Sequence, residues 1–257
     1  MSFPSIHYRL RCDTMLVVVF QSIIKNILHS KRIWHCLKHF LIELSIYNIK
    51  GECDYDSSRG QTRGRFGQTA EGFRLNLQPE AEGAFDVWCR EGETVVCLGG
   101  NWSVLLYRFA LWVAYGLMTL RRDTLAIHSS CIVYQGKAVM FLGESGTGKS
   151  THTRLWREHI DGSFLLNDDS PMVRVEDGKT WVYGSAWSGK TPCYRNERYE
   201  LKACVRLSQA PHNRIRKLPL LQAYASLHPS CAPEFAYDDA LYDEVSRTLG
   251  QILSEVP

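Results

Sequence analysis

The stretch AVMFLGESGTGKS (138–150), followed by a helical run and then FLLNDDS (164–170), decides how this chain is read. Ala138 to Leu142 is a continuous apolar run, the pattern of a short strand buried on both faces. The next eight residues, Gly143-Glu-Ser-Gly-Thr-Gly148-Lys149-Ser150, match G-x-x-x-x-G-K-[ST]. Thr151 to Ile160 reads as a helix ending near Asp161-Gly162, and Phe164 to Leu166 as a second buried strand. Strand, glycine loop, helix and strand make a βαβ unit of about thirty residues.

The chemistry of the loop follows from its residue types. Glycines and small side chains let backbone N–H groups turn inward on phosphate oxygens. The helix that follows points its positive end at the same oxygens. Lys149 reaches the β- and γ-phosphates, and Ser150 offers a hydroxyl to Mg²⁺. The expected nucleotide contacts are Gly143, Glu144, Ser145, Gly146, Thr147, Gly148, Lys149, Ser150 and Thr151. Asp168 and Asp169 follow the second strand. One carboxylate can hold the metal, and the other can accept a proton from an attacking hydroxyl. Two adjacent carboxylates facing a triphosphate repel it unless Mg²⁺ or Mn²⁺ intervenes, so a divalent ion is expected. His128, one short strand upstream, is expected to assist with metal or phosphate.

A second stretch, Gly184-Ser-Ala-Trp-Ser-Gly189-Lys190-Thr191, matches the same pattern. Trp187 is too large for a loop that wraps phosphate. Pro192 and the strand-like YRNERYELKACVRL follow where a helix is required. The expectation is a strand-connecting loop, with Lys190 and Arg195 as candidates to meet a phosphate or an acidic group of the substrate.

Working outward, the remainder is ordinary globular chain. It has 257 residues, 45% hydrophobic and 22% charged, which excludes disordered and fibrous classes. The net charge of +3 gives no case for nucleic acid. Residues 1–50 hold seven Lys/Arg against two Asp/Glu, and the rest 23 against 25, so the basic excess lies at the start. Nine cysteines, none spaced CxxC, point to free thiols in a reducing cytoplasm. MLVVVFQSII (15–24) lacks a cleavage site, and SVLLYRFALWVAYGLMTL (103–120) carries Arg108, so the latter reads as a core helix. His35 and His39 in HCLKH share a helix face without companion ligands, which reads as an exposed helix face in preference to a zinc site. Residues 14–49 read as helical, and 51–72 as a linker. Short strands follow at FRLNL, AFDVWCR and TVVCLG, with a boundary near residue 60.

The run IHSSCIVYQGKAVMFLGESGTGKSTHTRLW…FLLNDDS resembles the catalytic domain of HPr kinase/phosphorylase, and is similar to the motif series of ATP-dependent phosphoenolpyruvate carboxykinase. In both families a His precedes the glycine loop and an Asp pair follows it, as His128, Gly143–Ser150 and Asp168–Asp169 do here. YGSAWSGK…RN and ACVRLSQAPHNRIRKL look most like HPr-kinase-like proteins of bacterial gene clusters, some of which act on peptides. The likeness covers roughly residues 75–230, and the ending QILSEVP stops where relatives continue into another strand. It implies an α/β fold: a P-loop core with a mixed sheet over residues 61–257, preceded by a helical or linker appendage over 1–60. It also implies an ATP- and Mg²⁺-dependent kinase that phosphorylates a serine hydroxyl of a protein, peptide or small molecule. Lys149, Asp168, Asp169 and His128 would be catalytic; Ser150, Asp168 and Asp169 would hold the metal. The alternatives are a carboxykinase-type enzyme, or a nucleotide-binding module or inactive relative without acceptor transfer. Besides the acceptor, a second copy of the chain is an expected partner; nucleic acid and a membrane span are not.

Overall fold

Large apolar and polar residues alternate along Phe73-Arg74-Leu75-Asn76-Leu77, and that alternation builds the first of two sheets in the structure. The structure is a computed structural model that describes residues 8–11, 53–55, 62–69, 72–79, 84–90, 95–100, 104–189 and 191–257. The chain divides into two units, Met1–Thr119 with Glu234–Leu241, and Leu120–Pro233 with Tyr242–Pro257.

The first unit holds β1 (Tyr8–Arg11), β2 (Cys53–Tyr55), β3 (Thr62–Thr69), β4 (Gly72–Pro79), β5 (Phe85–Arg90) and β6 (Val95–Gly100). They form one antiparallel sheet in the order β1-β6-β5-β4-β3-β2. Phe73, Leu75 and Leu77 are buried together with Phe66, Phe85, Val87 and Cys89, as a period-2 pattern with one covered face requires. On β4, Arg74 and Asn76 both donate to Asp86 Oδ1, at 3.0 and 2.9 Å. Helix α1 (Val104–Leu120) follows, with Phe109 to Met118 almost wholly buried. It is the core helix its sequence suggested; among the described residues no helix is long and apolar enough to cross a membrane. The first sixty residues supply both edge strands, and β2 pairs with β3 across the boundary expected near residue 60. The helices expected in 14–49, the apolar run 15–24 and the pair His35/His39 lie outside the described residues.

The second unit carries a seven-stranded mixed sheet, order β10-β8-β9-β13-β12-β11-β7. Its strands are β7 (Thr124–Ala126), β8 (Ser129–Tyr134), β9 (Lys137–Leu142), β10 (Phe164–Asp169), β11 (Met172–Glu176), β12 (Lys179–Tyr183) and β13 (Arg198–Arg206). Helix α2 (Lys149–His159) joins β9 to β10; α3 (Leu220–Leu227) and α4 (Asp239–Glu255) come later. The protein is therefore mixed α/β. β9 and β13 run parallel, and the other neighbours in this sheet are antiparallel.

The two strands of the βαβ unit are not neighbours, so the acids stand on a strand that does not pair with β9. β8 lies between β9 and β10, antiparallel to both, so β9 and β10 are parallel but one strand apart. The apolar runs 129–134 and 138–142 are joined by the tight turn at Gln135-Gly136, which pairs them as a hairpin and places β8 in the gap. Under α2, Ile132, Phe141 and Leu165 from these three strands form one buried cluster, packed by Trp156 and Val205.

Candidate functional site

The C-terminal ends of β9, β10 and β13 lie along one edge of the second sheet: Arg206 is in register with Leu142, Phe141 with Ser130, and Ser130 with Asp168. In α/β sheets that edge is where ligands bind.

The glycine loop leaves β9 at this edge. Gly143, Gly146 and Gly148 have φ of 150°, 87° and 100°, a region that costs residues with a Cβ about 1–2 kcal/mol each. At Gly143 space is also closed, since a Cβ would lie 2.5 Å from Thr147 Oγ1. Thr147 N and Oγ1 both donate to Glu144 O, at 3.2 and 2.9 Å. The helix starts at Lys149 itself, two residues earlier than the sequence suggests, because Gly148 turns the chain directly into its first turn. No side chain caps that end; its first N–H groups are the orphan donors that bind anions. Glu144, Ser145, Gly146, Ser150 and Thr151 are exposed, and Thr147, Gly148 and Lys149 half-buried.

Lys149 Nζ donates to Gly143 O at 2.7 Å and Glu144 O at 3.1 Å. Burial lowers its pKa; Asp169 and Asp168 oppose that effect, and Arg206 adds to it. Both carboxylates therefore act on the lysine of the loop, although they stand on a strand two positions away.

The two acids have different surroundings. Asp168, 5% exposed, accepts at Oδ1 from Ser130 Oγ (2.7 Å) and Ser150 Oγ (3.0 Å), and at Oδ2 from the Thr191 amide (3.3 Å). Ser130 Oγ is also 3.0 Å from Thr153 Oγ1 of α2. Asp169 is one-third exposed and lies 3.2 Å from His128 Nδ1. A register shift between Leu165 and Asn167 precedes the pair, and such bulges re-aim the side chains that follow.

The second glycine stretch connects β12 to β13, the strand-connecting loop the sequence led us to expect. Trp187 is buried, and the loop folds back along β10. Gly189 N donates to Asp168 O at 2.9 Å, and a Cβ on Gly189 would meet that same oxygen at 2.5 Å. Asn167 ties loop to strand. Its Nδ2 donates to Ser185 Oγ (3.1 Å) and Trp187 O (3.0 Å), while its Oδ1 accepts from the amides of Asp169 and Ser170, both at 3.0 Å.

Of the expected site residues, the structure brings together the loop 143–151, Asp168, Asp169 and His128. Arg195 is placed elsewhere. Its guanidinium stacks 4.6 Å from the Phe164 ring and pairs with Glu197 at 3.3 Å. Phe164 opens β10 and Asp169 ends it, so at about 3.3 Å per residue the two lie roughly 17 Å apart. Lys190 lies outside the described residues. Sequence reading overlooked Ser130, Thr153 and Asn167. The faint signal for Ser130 was a pair of hydroxyl residues, Ser129-Ser130, opening an otherwise apolar strand; Asn167 gave none beyond standing before two acids.

Among the described residues no cluster of three or more His, Cys, Asp and Glu side chains forms a metal site. The Asp168 carboxylate and the Ser150 hydroxyl do meet, at 3.0 Å, two oxygen ligands of the kind Mg²⁺ takes when phosphate and water complete its shell. No protein-family model matches the chain, and no curated protein or solved structure matches it significantly.

Proposed function

We propose that the protein is an ATP-dependent kinase that transfers the γ-phosphate to a serine hydroxyl. The observation that carries this reading is the hydrogen bond between Ser150 of the glycine loop and Asp168 of β10. It joins the residue expected to meet the metal with the acid expected to share it. Ser150 and Asp168 would hold Mg²⁺, whose chemistry is to neutralise charge on the β- and γ-phosphates. The loop amides and the start of α2 would bind the triphosphate. Lys149 would exchange its two carbonyl partners for phosphate oxygens, a swap favoured because its charge is partly desolvated where it stands.

The same geometry supports a division of labour between the acids. Asp168 is enclosed by two hydroxyls and an amide, which suits a fixed metal-side role. Asp169 is more open and faces His128. It is the acid suited to take the proton from the attacking hydroxyl, with His128 orienting its carboxylate. The resemblance to HPr-kinase-like catalytic domains supports the reaction class, and a protein or peptide acceptor is the reading we favour.

Incubation with γ-³²P-ATP, Mg²⁺ and a mixture of serine-containing random peptides tests this. Label on serine that disappears with Asp169→Asn is the expected result. Label no greater than that given by Lys149→Ala would overturn the kinase reading.

A further inference from the structure

Beyond Arg206 the chain leaves the sheet beside the glycine loop and enters a segment of unusual surface chemistry. Leu207 N donates to Leu142 O at 2.9 Å, Arg206 lies 3.7 Å from Glu144, and Gln209 Nε2 is 3.5 Å from Gly146 O. From residue 208 to the first turn of α3 nearly every residue is exposed. Residues 201–233 contain five Lys/Arg and no Asp or Glu. Three of these, Arg214, Arg216 and Lys217, fall within four residues, and none makes an ion pair among the described residues. Apolar side chains are interleaved with them. Ile215 is 88% exposed, Leu220 68% and Leu221 80%.

Such side chains are costly to leave in water. Covering them recovers about 25 cal/mol per Å² of apolar surface. Clustered exposed apolar groups beside unpaired charge of one sign mark an interaction surface. A solvated basic face alone would not carry Ile, Leu and Leu.

From this juxtaposition we propose that residues 208–221 are a docking segment for an acidic peptide or acidic protein segment that also carries large apolar residues. The partner's carboxylates would meet Arg214, Arg216 and Lys217, and its apolar side chains would cover Ile215, Leu220 and Leu221. Charge complementarity selects the occupant: a run of 33 residues without a carboxylate attracts acids and repels bases. An anionic membrane offers the same charge but fits less well. The segment up to Pro219 is not helical, and α3 has only eight residues, short of an amphipathic helix that lies in a lipid interface. The anchorage of Arg206 and Gln209 beside the glycine loop makes this partner the phosphoacceptor. That last identification rests on the kinase reading; the binding itself does not.

The test is a selection from a phage-displayed random 12-residue peptide library on the full chain. It is repeated on the triple variant Arg214→Glu, Arg216→Glu, Lys217→Glu and on Ile215→Ser/Leu221→Ser. All five positions are exposed, so circular dichroism and melting temperature should be unchanged. Enrichment of peptides with Asp/Glu beside Leu, Ile or Phe is expected. Their affinity should fall at least tenfold in each variant and weaken with added salt. Equal enrichment on the wild type and the charge-reversed variant would overturn the proposal. So would absence of acidic enrichment while vesicles containing phosphatidylserine co-sediment with the chain, or loss of binding through self-association at this face. Selected peptides that bind but accept no phosphate would leave the docking segment standing and count against the kinase.

Discussion

Two stretches of this protein share one eight-residue pattern and fold in opposite ways. Residues 143–150 leave a buried strand, open into a left-handed turn at three glycines and end as the first turn of α2. Residues 184–189 leave β12, bury a tryptophan and bridge to the edge of the acid strand at Ser188. In the first, Gly143 lets Thr147 approach, while Gly146 and Gly148 face open space. In the second, Gly189 is needed so that the backbone can touch Asp168. The pattern specifies small residues and a cation; what comes next, a helix or a proline, decides whether the small residues face open space or another strand.

The sharpest way to break this comparison is to remove the two lysines separately. Lys149→Ala should lower phosphoryl transfer by about 10²–10³-fold, the usual cost of losing one electrostatic contact to the transferring group. Lys190→Ala should leave nucleotide affinity within about twofold. Equal losses, measured by initial rates and by equilibrium ATP binding, would mean that both loops hold phosphate.

A smaller effect is expected at Asn167, which ties the second loop to the acid strand. Asn167→Ala removes the bonds to Ser185, Trp187, Asp169 and Ser170 and leaves buried amides without partners. A loss of about 2–3 kcal/mol in urea unfolding is expected. Transfer should fall further than ATP binding does, because the acids move while the first loop stays. A parallel fall in both would mean that Asn167 serves folding alone.

Gly189→Ala should cost about 1–3 kcal/mol, since the new methyl overlaps Asp168 O and little there can yield. Gly146→Ala meets no atom but carries backbone strain, so it should cost about 1–2 kcal/mol of stability and impair ATP binding more than Gly189→Ala does. Thermal melts with and without ATP separate the two cases.

The mildest probe is Cys193, which donates from Sγ to Leu165 O and Leu166 O at 3.3 Å and so reports on closure of the second loop. Burial raises its pKa above the ordinary 9.0, with Arg195 opposing. At pH 8 less of it is thiolate than in free cysteine, so iodoacetamide should modify it more slowly than free cysteine, with the rate still climbing above pH 9. In Asn167→Ala the reaction should quicken. No change there would mean that the loop closes without Asn167.

What was legible in the sequence was mostly local. β9 and the start of β10 were visible as apolar runs, β13 lay within a strand-like stretch, and α1 showed as a long apolar stretch; β7, β11 and β12 were not anticipated. The end of β10 was less visible than its start, because Asn167-Asp168-Asp169 are poor strand formers. They stay extended since Asn167 fastens them to the second loop, a contact eighteen to twenty residues away. The insertion of β8 between β9 and β10 was likewise hidden. Two apolar runs reveal that both are buried, and not which one lies beside a third. The loop, the two acids and His128 could be named from spacing. The partners of Asp168 could not, because Ser130 and the Thr191 amide reach it from positions 38 and 23 residues away in sequence. Arg195 stands five residues from Lys190 in sequence, and the structure sets its guanidinium on Phe164, at the other end of β10 from the acids.

A crystal structure of the chain with Mg²⁺ and the non-hydrolysable analogue AMP-PNP addresses the central proposition most directly. The β- and γ-phosphates should lie on the amides of residues 143–150, with the ion between Ser150 Oγ and Asp168 Oδ1 and the γ-phosphate facing Asp169. Phosphates bound instead at residues 184–191, or an ion that does not touch Asp168, would contradict it.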